Sequence, residues 1–258
     1  MRQKIAKYWR PQIAEEQDLG SPAHVIFNTL AIFIIIQILA AFLVDFVLGI
    51  MHPGADVGSL LDNSISGQFF YVLLAEGLVT GLVLLIVRRR KLNLSFIGLG
   101  RKPQTRDLWR AAQGFVVFYA ALIVVSILIN ILLPNLNTNQ QQNIGFTNIS
   151  TSSDNLLAFL ALVILPPLGE EPLVRGYLFS GLRSRWKFWP AAIFTSLLFG
   201  LAHLEFGSGS PLVWAAGIDT FVLSIVLVYL RDKTGALYAG ILVHMLNNLI
   251  AFGVHFHS

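Results

Sequence analysis

The stretch VIFNTLAIFIIIQILAAFLVDFVLGI, residues 25–50, is apolar over almost its whole length. As one helix, rising about 1.5 Å per residue, it is long enough to cross the roughly 30 Å hydrocarbon core of a bilayer. A signal-peptide core spans only about 7–15 residues, so we expect a retained transmembrane helix here. The whole chain has this character: 55% of its 258 residues are hydrophobic and 12% are charged, about half the charged share of a soluble domain.

Further apolar segments follow at intervals that suit a polytopic membrane protein. The predicted spans lie near residues 26–50, 68–88, 109–133, 155–179, 188–204, 211–230 and 236–254. We therefore predict an all-α fold, a polytopic bundle of about seven transmembrane helices. Its parts are a basic cytoplasmic segment at 1–25, three helices in 26–133, a polar exterior loop at 134–154, and a core of four helices in 155–254.

The basic residues alternate from one connection to the next, as the positive-inside rule requires. The N-terminal segment and the connections after spans two, four and six hold 4, 8, 3 and 2 of them, which is 17 of the 18 lysines and arginines. The other connections hold none, and the remaining cation is Arg175 inside span four. This distribution predicts an N-terminus inside and a C-terminus outside. It also argues against nucleic acid as a partner, despite the net charge of +4.

Charged residues inside the fourth span need a reason, because each costs roughly 2.5–3.5 kcal/mol at the centre of a membrane helix. In LPPLGEEPLVRGYLF, residues 165–179, Glu171 and Arg175 are four apart and can pair on one helix face. Glu170 lies about 100° around the helix and has no partner in the sequence. A carboxylate in such a low-dielectric site suits a general base. The alternative is an ion pair that only fixes the register of the helix.

Three prolines lie in the same span. Pro166 and Pro167 are expected to break or kink the helix and to free backbone carbonyls there. Pro172 can be accommodated if Gly169 to Glu171 begin a new helical segment.

Two histidines lie in the spans that follow. His203, in LLFGLAHLEFG, falls late in span five, and Phe199 one turn earlier would pack beside it. His244 and Asn248, in LVHMLNNLI, are four apart, share a helix face and could together bind a developing oxyanion. The alternative for these residues is hydrogen bonding between helices. Their depths in the membrane allow the two histidines to converge with Glu170.

Three further acidic residues lie within predicted spans, namely Asp45, Glu76 and Asp219. They could form a proton or ion path across the bundle. No cation in the outer half is an obvious partner for them, and we favour structural roles for all three.

The motifs GEEPLVRGYLF, FGLAH and HMLNN resemble the EExxxR, FxxxH and HxxxN motifs of the CPBP family of intramembrane proteases. This family is also called the Abi or CAAX-protease-like family, after CAAX and bacteriocin processing. The three motifs have the family order and spacing on successive predicted helices, within about residues 155–252. The resemblance implies that Glu170 is the general base, that His203 helps it to activate water, and that His244 and Asn248 hold the oxyanion.

The resemblance also implies that Glu171, Arg175 and Phe199 support the site. Pro172 departs from the family pattern, since an ordinary helix former usually stands there. No cysteine is present and no serine lies in the three motifs, so neither residue type is expected to act as a nucleophile. We therefore predict hydrolysis by activated water, without a covalent intermediate.

These observations predict an intramembrane endopeptidase that acts on a membrane-associated peptide or protein in a bacterial plasma membrane. No cofactor is predicted. The alternative is zinc held by Glu170, His203 and His244, although no HExxH helix appears and Arg175 adds positive charge nearby. Rival functions are a non-catalytic bacteriocin-immunity or scaffold protein and a proton-coupled transporter. The transporter predicts an inverted repeat, which we do not find in the sequence.

Overall fold

The computed structural model describes residues 19–137, 140, 142–204 and 212–257. These residues form eight helices and no strand. In chain order the helices are α1 Pro22–Met51, α2 Val57–Asn63, α3 Ile65–Arg89, α4 Thr105–Leu132, α5 Ser152–Arg183, α6 Phe188–Ala202, α7 Trp214–Thr234 and α8 Tyr238–His257. The predicted all-α bundle is confirmed. Most of the basic segment predicted at residues 1–25 lies outside the described residues.

Six of the helices in the described part of the chain, all except α2 and α6, are long and apolar enough to cross a membrane. The chain is therefore an integral membrane protein. The fifth predicted span is shorter than the sequence suggests, because α6 ends at Ala202 after 15 residues. Its length of about 22 Å falls short of a hydrocarbon core of roughly 30 Å. In place of the about seven predicted spans, the described residues thus form six long helices and one short apolar helix.

Helix α6 ends where His203 leaves the helical conformation and its ring turns back to the carbonyl of Phe199. The next residue, Leu204, accepts a hydrogen bond from the backbone of Val213 over 3.3 Å. This bond holds the end of α6 beside the start of α7.

Helices α5 and α7 form the centre of the bundle, and α4 lies at its edge. About half of the apolar stretch of each central helix is buried, 50% for α5 and 56% for α7, against 6% for α4. Peripheral helices expose large apolar side chains, among them Phe27 and Ile131, each 69% exposed. Such a surface suits contact with lipid, which is as apolar as these side chains.

Helix α5 runs without a break, although it contains all three prolines of its span. It winds as π-helix over Leu160–Ile164 and Pro172–Phe179 and as α-helix between them. Of the predicted break or kink at Pro166 and Pro167, the break is therefore wrong, and no new helix starts at Gly169–Glu171. Both prolines stand in the first turn of the α-helical segment that follows the first π-helical stretch, a position that tolerates a residue without an N–H group.

Neighbouring helices supply the hydrogen bonds that these prolines remove. The carbonyl of Leu162 faces prolines at both the fourth and the fifth following position, so neither an α-helical nor a π-helical bond can reach it. The amide of Asn248 on α8 donates to it over 3.0 Å. Pro172 cannot donate to the carbonyl of Leu168, and the hydroxyl of Thr80 on α3 does so over 3.1 Å. The buried backbone is thus satisfied from outside the helix.

Candidate active site

The predicted ion pair between Glu171 and Arg175 is present. The Arg175 Nη1 atom lies 2.8 Å from Glu171 Oε1, and the two side chains are 0% and 1% exposed. The guanidinium also lies over the ring of Phe199 on α6, 4.2 Å from its centroid, a cation–π contact that strengthens where water is excluded. Within the described residues the Nε and Nη2 atoms have no hydrogen-bond partner. The carboxylate and the ring are therefore the groups that hold this buried cation.

Glu171 also fixes the orientation of His244. Its Oε1 atom lies 3.0 Å from His244 Nδ1, and because a carboxylate accepts only, Nδ1 carries the proton. The other ring nitrogen, Nε2, points towards Glu170 and lies 3.8 Å from its Oε2 atom. A neutral ring held in this way presents a lone pair at Nε2, so His244 can donate from Nε2 only as the imidazolium.

Glu170 stays outside this ion pair, as its position on the helix predicts. Its side chain is 22% exposed, against 1% for Glu171, and its buried Oε2 atom has no hydrogen-bond partner in the described part of the chain. It lines a space of about 260 Å³ between α1, α3, α5 and α6, which we call the inner cavity. Glu76, Phe199 and His203 line the same cavity.

His203 faces the inner cavity with a defined tautomer. Its Nδ1 atom lies 2.8 Å from the carbonyl of Phe199, and a carbonyl can only accept, so Nδ1 donates and Nε2 of the neutral ring is left as an acceptor. The Phe199 ring packs against His203, at 4.7 Å between centroids, and edge-on against His244 at 5.9 Å. Phe199 therefore contacts both histidines as well as Arg175.

Asn248 lies on the same face of α8 as His244, as its spacing predicts. One of its amide hydrogens is used for the carbonyl of Leu162, which leaves the second hydrogen for another acceptor. The neighbouring Asn247 accepts from the hydroxyl of Tyr119 on α4 over 3.2 Å. It therefore contributes to contacts between helices rather than to the inner cavity.

The structure adds Glu76 of α3 to the residues around Glu170. The sequence favours a structural role for Glu76, and no motif connects it with the C-terminal core. In the structure its carboxylate lies against the backbone of Gly169, so closely that a Cβ atom there would stand 1.9 Å from Oε2. Of the other two acids, Asp219 lies on α7 and is not among the described residues that line the inner cavity. Asp45 keeps one buried oxygen without a partner among the described residues.

Glu76 also lines a second, larger space, which lies between α3, α4, α5 and α8. It measures about 1050 Å³, has mainly apolar walls from α3, α4, α5 and α8, and extends to Gln104 and Asp107 at the start of α4. We call it the lateral groove. Glu76 lines both the groove and the inner cavity, and Gly169 lines the groove. The carboxylate of Glu76 thus stands at the boundary between the two spaces.

Zinc does not fit the arrangement of these side chains. Across the described ranges, no three His, Cys, Asp or Glu side chains come together in a group that could hold a metal ion. We derive no step through a metal.

The C-terminal part of the chain is similar to a known protein family. Residues 152–250 match the family described as type II CAAX prenyl endopeptidase Rce1-like. An uncharacterized 24.3 kDa protein from Escherichia coli is 35% identical over 94 residues, which is 36% of this chain and 41% of that protein. The chain thus aligns with less than half the length of this relative. No solved structure matches this chain. The family match confirms, over residues 152–250, the resemblance that the three motifs carry.

Proposed function

We propose that the chain is an intramembrane endopeptidase that hydrolyses a peptide bond of a membrane-associated peptide or protein. The observation that carries this proposal is the contrast between two adjacent carboxylates. Arg175 neutralises Glu171, whereas Glu170 has no arginine partner and lines a cavity with His203. Its buried Oε2 atom has no hydrogen-bond partner among the described residues. A base that must take a proton needs this freedom, and the family match names an endopeptidase.

In the proposed reaction, a water molecule in the inner cavity lies between Glu170 and the Nε2 atom of His203. Glu170 takes one proton from it, and His203 accepts a hydrogen bond from the other. The water oxygen then attacks the carbonyl carbon of the peptide bond. This scheme uses the tautomer that the Phe199 carbonyl imposes on His203.

The negative charge that develops on the carbonyl oxygen needs donors. We assign this role to the Nε2–H group of His244 and to the second amide hydrogen of Asn248. His244 can donate from Nε2 only when both ring nitrogens carry protons, because its Nδ1–H group is already donated to Glu171. The imidazolium and Arg175 would together balance Glu170 and Glu171 before the reaction begins.

The lateral groove supports entry of the substrate from the bilayer. Its walls are mainly apolar, and it leads from the start of α4 to Glu76, which also lines the inner cavity. A peptide attached to the membrane could reach Glu170 by this route without crossing the central helices.

We further propose that the reaction needs no metal. Purified protein whose metal content has been removed by chelation, and checked by elemental analysis, should retain its peptidase activity. Loss of activity on chelation, followed by recovery with zinc, would contradict this expectation.

The test of the proposed function compares membrane peptides in cells that carry the native chain and the Glu170→Gln chain. The substitution keeps the shape of the side chain and removes the base. Substrate peptides should remain uncut in the variant, and purified native protein should cut them in detergent. A biological effect that survives Glu170→Gln would favour the scaffold function. An effect more sensitive to Asp219→Asn than to His244→Ala or Asn248→Ala would favour transport.

A further inference from the structure

Glu76 lies against the residue that precedes Glu170. The closest approach is at Gly169, where an added Cβ atom would be 1.9 Å from Glu76 Oε2 and 2.9 Å from its Cα atom. Only glycine allows two helices to approach this closely. One turn further along α3, the hydroxyl of Thr80 donates to the carbonyl of Leu168. These two contacts fix Glu76 beside the segment that carries Glu170.

No cation neutralises Glu76 among the ion pairs of the described residues, and its carboxylate has no hydrogen-bond partner there. The titratable groups that line the inner cavity with it are Glu170 and His203, and Tyr71 lies on its own helix. Tyr71 donates its hydroxyl to Gln37 of α1 over 2.5 Å, and Gln37 is the polar residue that α1 presents to the cavity beside Thr29. Glu170 is therefore the second carboxyl group that lines the inner cavity with Glu76.

Two carboxyl groups that share one low-dielectric cavity do not both ionise readily, and such pairs hold one proton between them. Arg175 does not change this, because Glu171 already takes its charge. Of the two carboxyl groups, Glu170 lies beside a group that can be cationic, because His244 Nε2 is 3.8 Å from its Oε2 atom. The proton shared by the pair accordingly belongs on Glu76 when Glu170 is the base.

We propose that Glu76 is a second catalytic carboxyl group, which donates a proton to the amine that leaves when the peptide bond breaks. The proposal rests on the proposed function. Glu170 takes a proton from water, and the C–O bond forms at the carbonyl carbon. The C–N bond then breaks, its electron pair stays on nitrogen, and nitrogen takes the proton from Glu76. A proton passes from Glu170 to Glu76 to restore the pair, so the net reaction is amide plus water to acid plus amine.

The position of Glu76 between the two spaces suits this role. The water and His203 belong to the inner cavity, whereas Glu76 also borders the lateral groove. A peptide bond bound between the two spaces would meet its base on the inner side and its acid on the groove side. The amine-bearing product would then leave by the groove.

The test replaces the leaving group. A peptide found uncut in the Glu170→Gln membranes is synthesised with its amide and, separately, with a thioester at the scissile bond. A thiol ionises near pH 8.5 and can leave without a proton, whereas an amine cannot. For Glu76→Gln we expect amide hydrolysis to fall by about 10²-fold or more, the usual contribution of an acid catalyst. Thioester hydrolysis should change by less than about threefold.

Three controls separate the possible outcomes. Glu170→Gln should lose both reactions, because both need the base. Glu76→Asp keeps an acid and should retain more amide hydrolysis than Glu76→Gln. Thr80→Val tests the packing of the same helix face without removing an acid. Equal loss of both reactions in Glu76→Gln, or full amide hydrolysis, would overturn the role of Glu76. Full activity of Glu170→Gln would instead overturn the proposed function.

Discussion

Glu170 and Glu171 are neighbours in the sequence, but the helix points their carboxylates about 100° apart. The i, i+4 spacing to Arg175 was enough to predict which of them is paired, because helix geometry alone brings those two side chains together. The spacing cannot show what else surrounds the pair. The contacts from His244 and Phe199 come from helices far along the chain, and only the packing of the bundle brings them to the pair.

Replacing Glu171 should damage the fold, whereas replacing Glu170 should not. In Glu171→Gln the buried guanidinium of Arg175 loses its counter-charge, and removing one partner of a buried pair costs about 3–5 kcal/mol. Glu170→Gln removes no ion pair with Arg175 and should stay within about 0.5 kcal/mol of the native protein. Unfolding in detergent, followed by circular dichroism, measures both values. Equal stability of the two variants would show that the ion pair does not hold the core.

Glu76 shows where residue-level reasoning stops. An acid in an apolar span is a functional candidate on general grounds, but 94 positions separate it from Glu170 in the chain. Nothing in the sequence says that α3 packs against the segment 168–172. The absence of a Cβ atom at Gly169 allows that approach, and a glycine beside a glutamate gives no such signal by itself.

At the level of the element, α5 shows how a membrane helix can contain prolines without breaking. The sequence correctly predicts that these prolines free backbone carbonyls, because proline lacks the N–H group. It does not reveal that Asn248 and Thr80 supply the missing donors from other helices. Of the expected break or kink, the break is wrong for this reason. The departure at Pro172 is thus compensated by a polar residue outside the three motifs.

The hydrogen bond from Asn248 to Leu162 can be separated from a catalytic role by a double-mutant cycle. Asn248→Ala leaves a buried carbonyl unpaired and should cost about 1–3 kcal/mol of stability. Pro166→Ala restores a backbone N–H group four residues after Leu162, so the cost of Asn248→Ala should shrink in that background. Unfolding in detergent measures this coupling. Additive costs would argue that Asn248 does not satisfy this carbonyl.

Peptidase activity in the same four proteins tests the other amide hydrogen of Asn248. If Asn248 also holds the oxyanion, Asn248→Ala should remain about 10²-fold slower or worse even beside Pro166→Ala. Recovery of activity together with stability would assign a purely structural role to Asn248.

The contact between α3 and α5 can be tested at Gly169. Gly169→Ala places a methyl group against Glu76, including its backbone Cα atom, and should cost about 1–3 kcal/mol through displacement of the two helices. Gly77→Ala is the matched control, because it lies next to Glu76 on α3 with no heavy atom within 4 Å of the added Cβ. It should be neutral or stabilise the helix. Thermal unfolding of both variants measures these effects. An unchanged stability of Gly169→Ala would contradict the close approach of α3 and α5.

At the scale of the whole molecule, hydropathy predicts most helices within a few residues of their observed ends. The thickness of the bilayer sets this accuracy, since it demands a minimum apolar length whatever the packing. Bilayer thickness constrains the length of α6 less. This helix ends at Ala202, where the His203 side chain turns back to the carbonyl of Phe199. Mean hydropathy does not report such a contact, and the predicted span 188–204 is therefore too long.

The predicted orientation of the bundle rests on the distribution of basic residues. It can be tested directly, because the native chain has no cysteine and gives no background labelling. In sealed right-side-out vesicles, a membrane-impermeant maleimide should label Ser59→Cys and Thr147→Cys. Lys102→Cys and Lys187→Cys should react only after the vesicles are opened. Leu212→Cys should react from outside, because the nearby start of α7 donates a hydrogen bond to Gln140 of the exterior loop. The reverse pattern would invert the topology. Protection of Leu212→Cys alone would mean that the short α6 does not carry the chain to the exterior face.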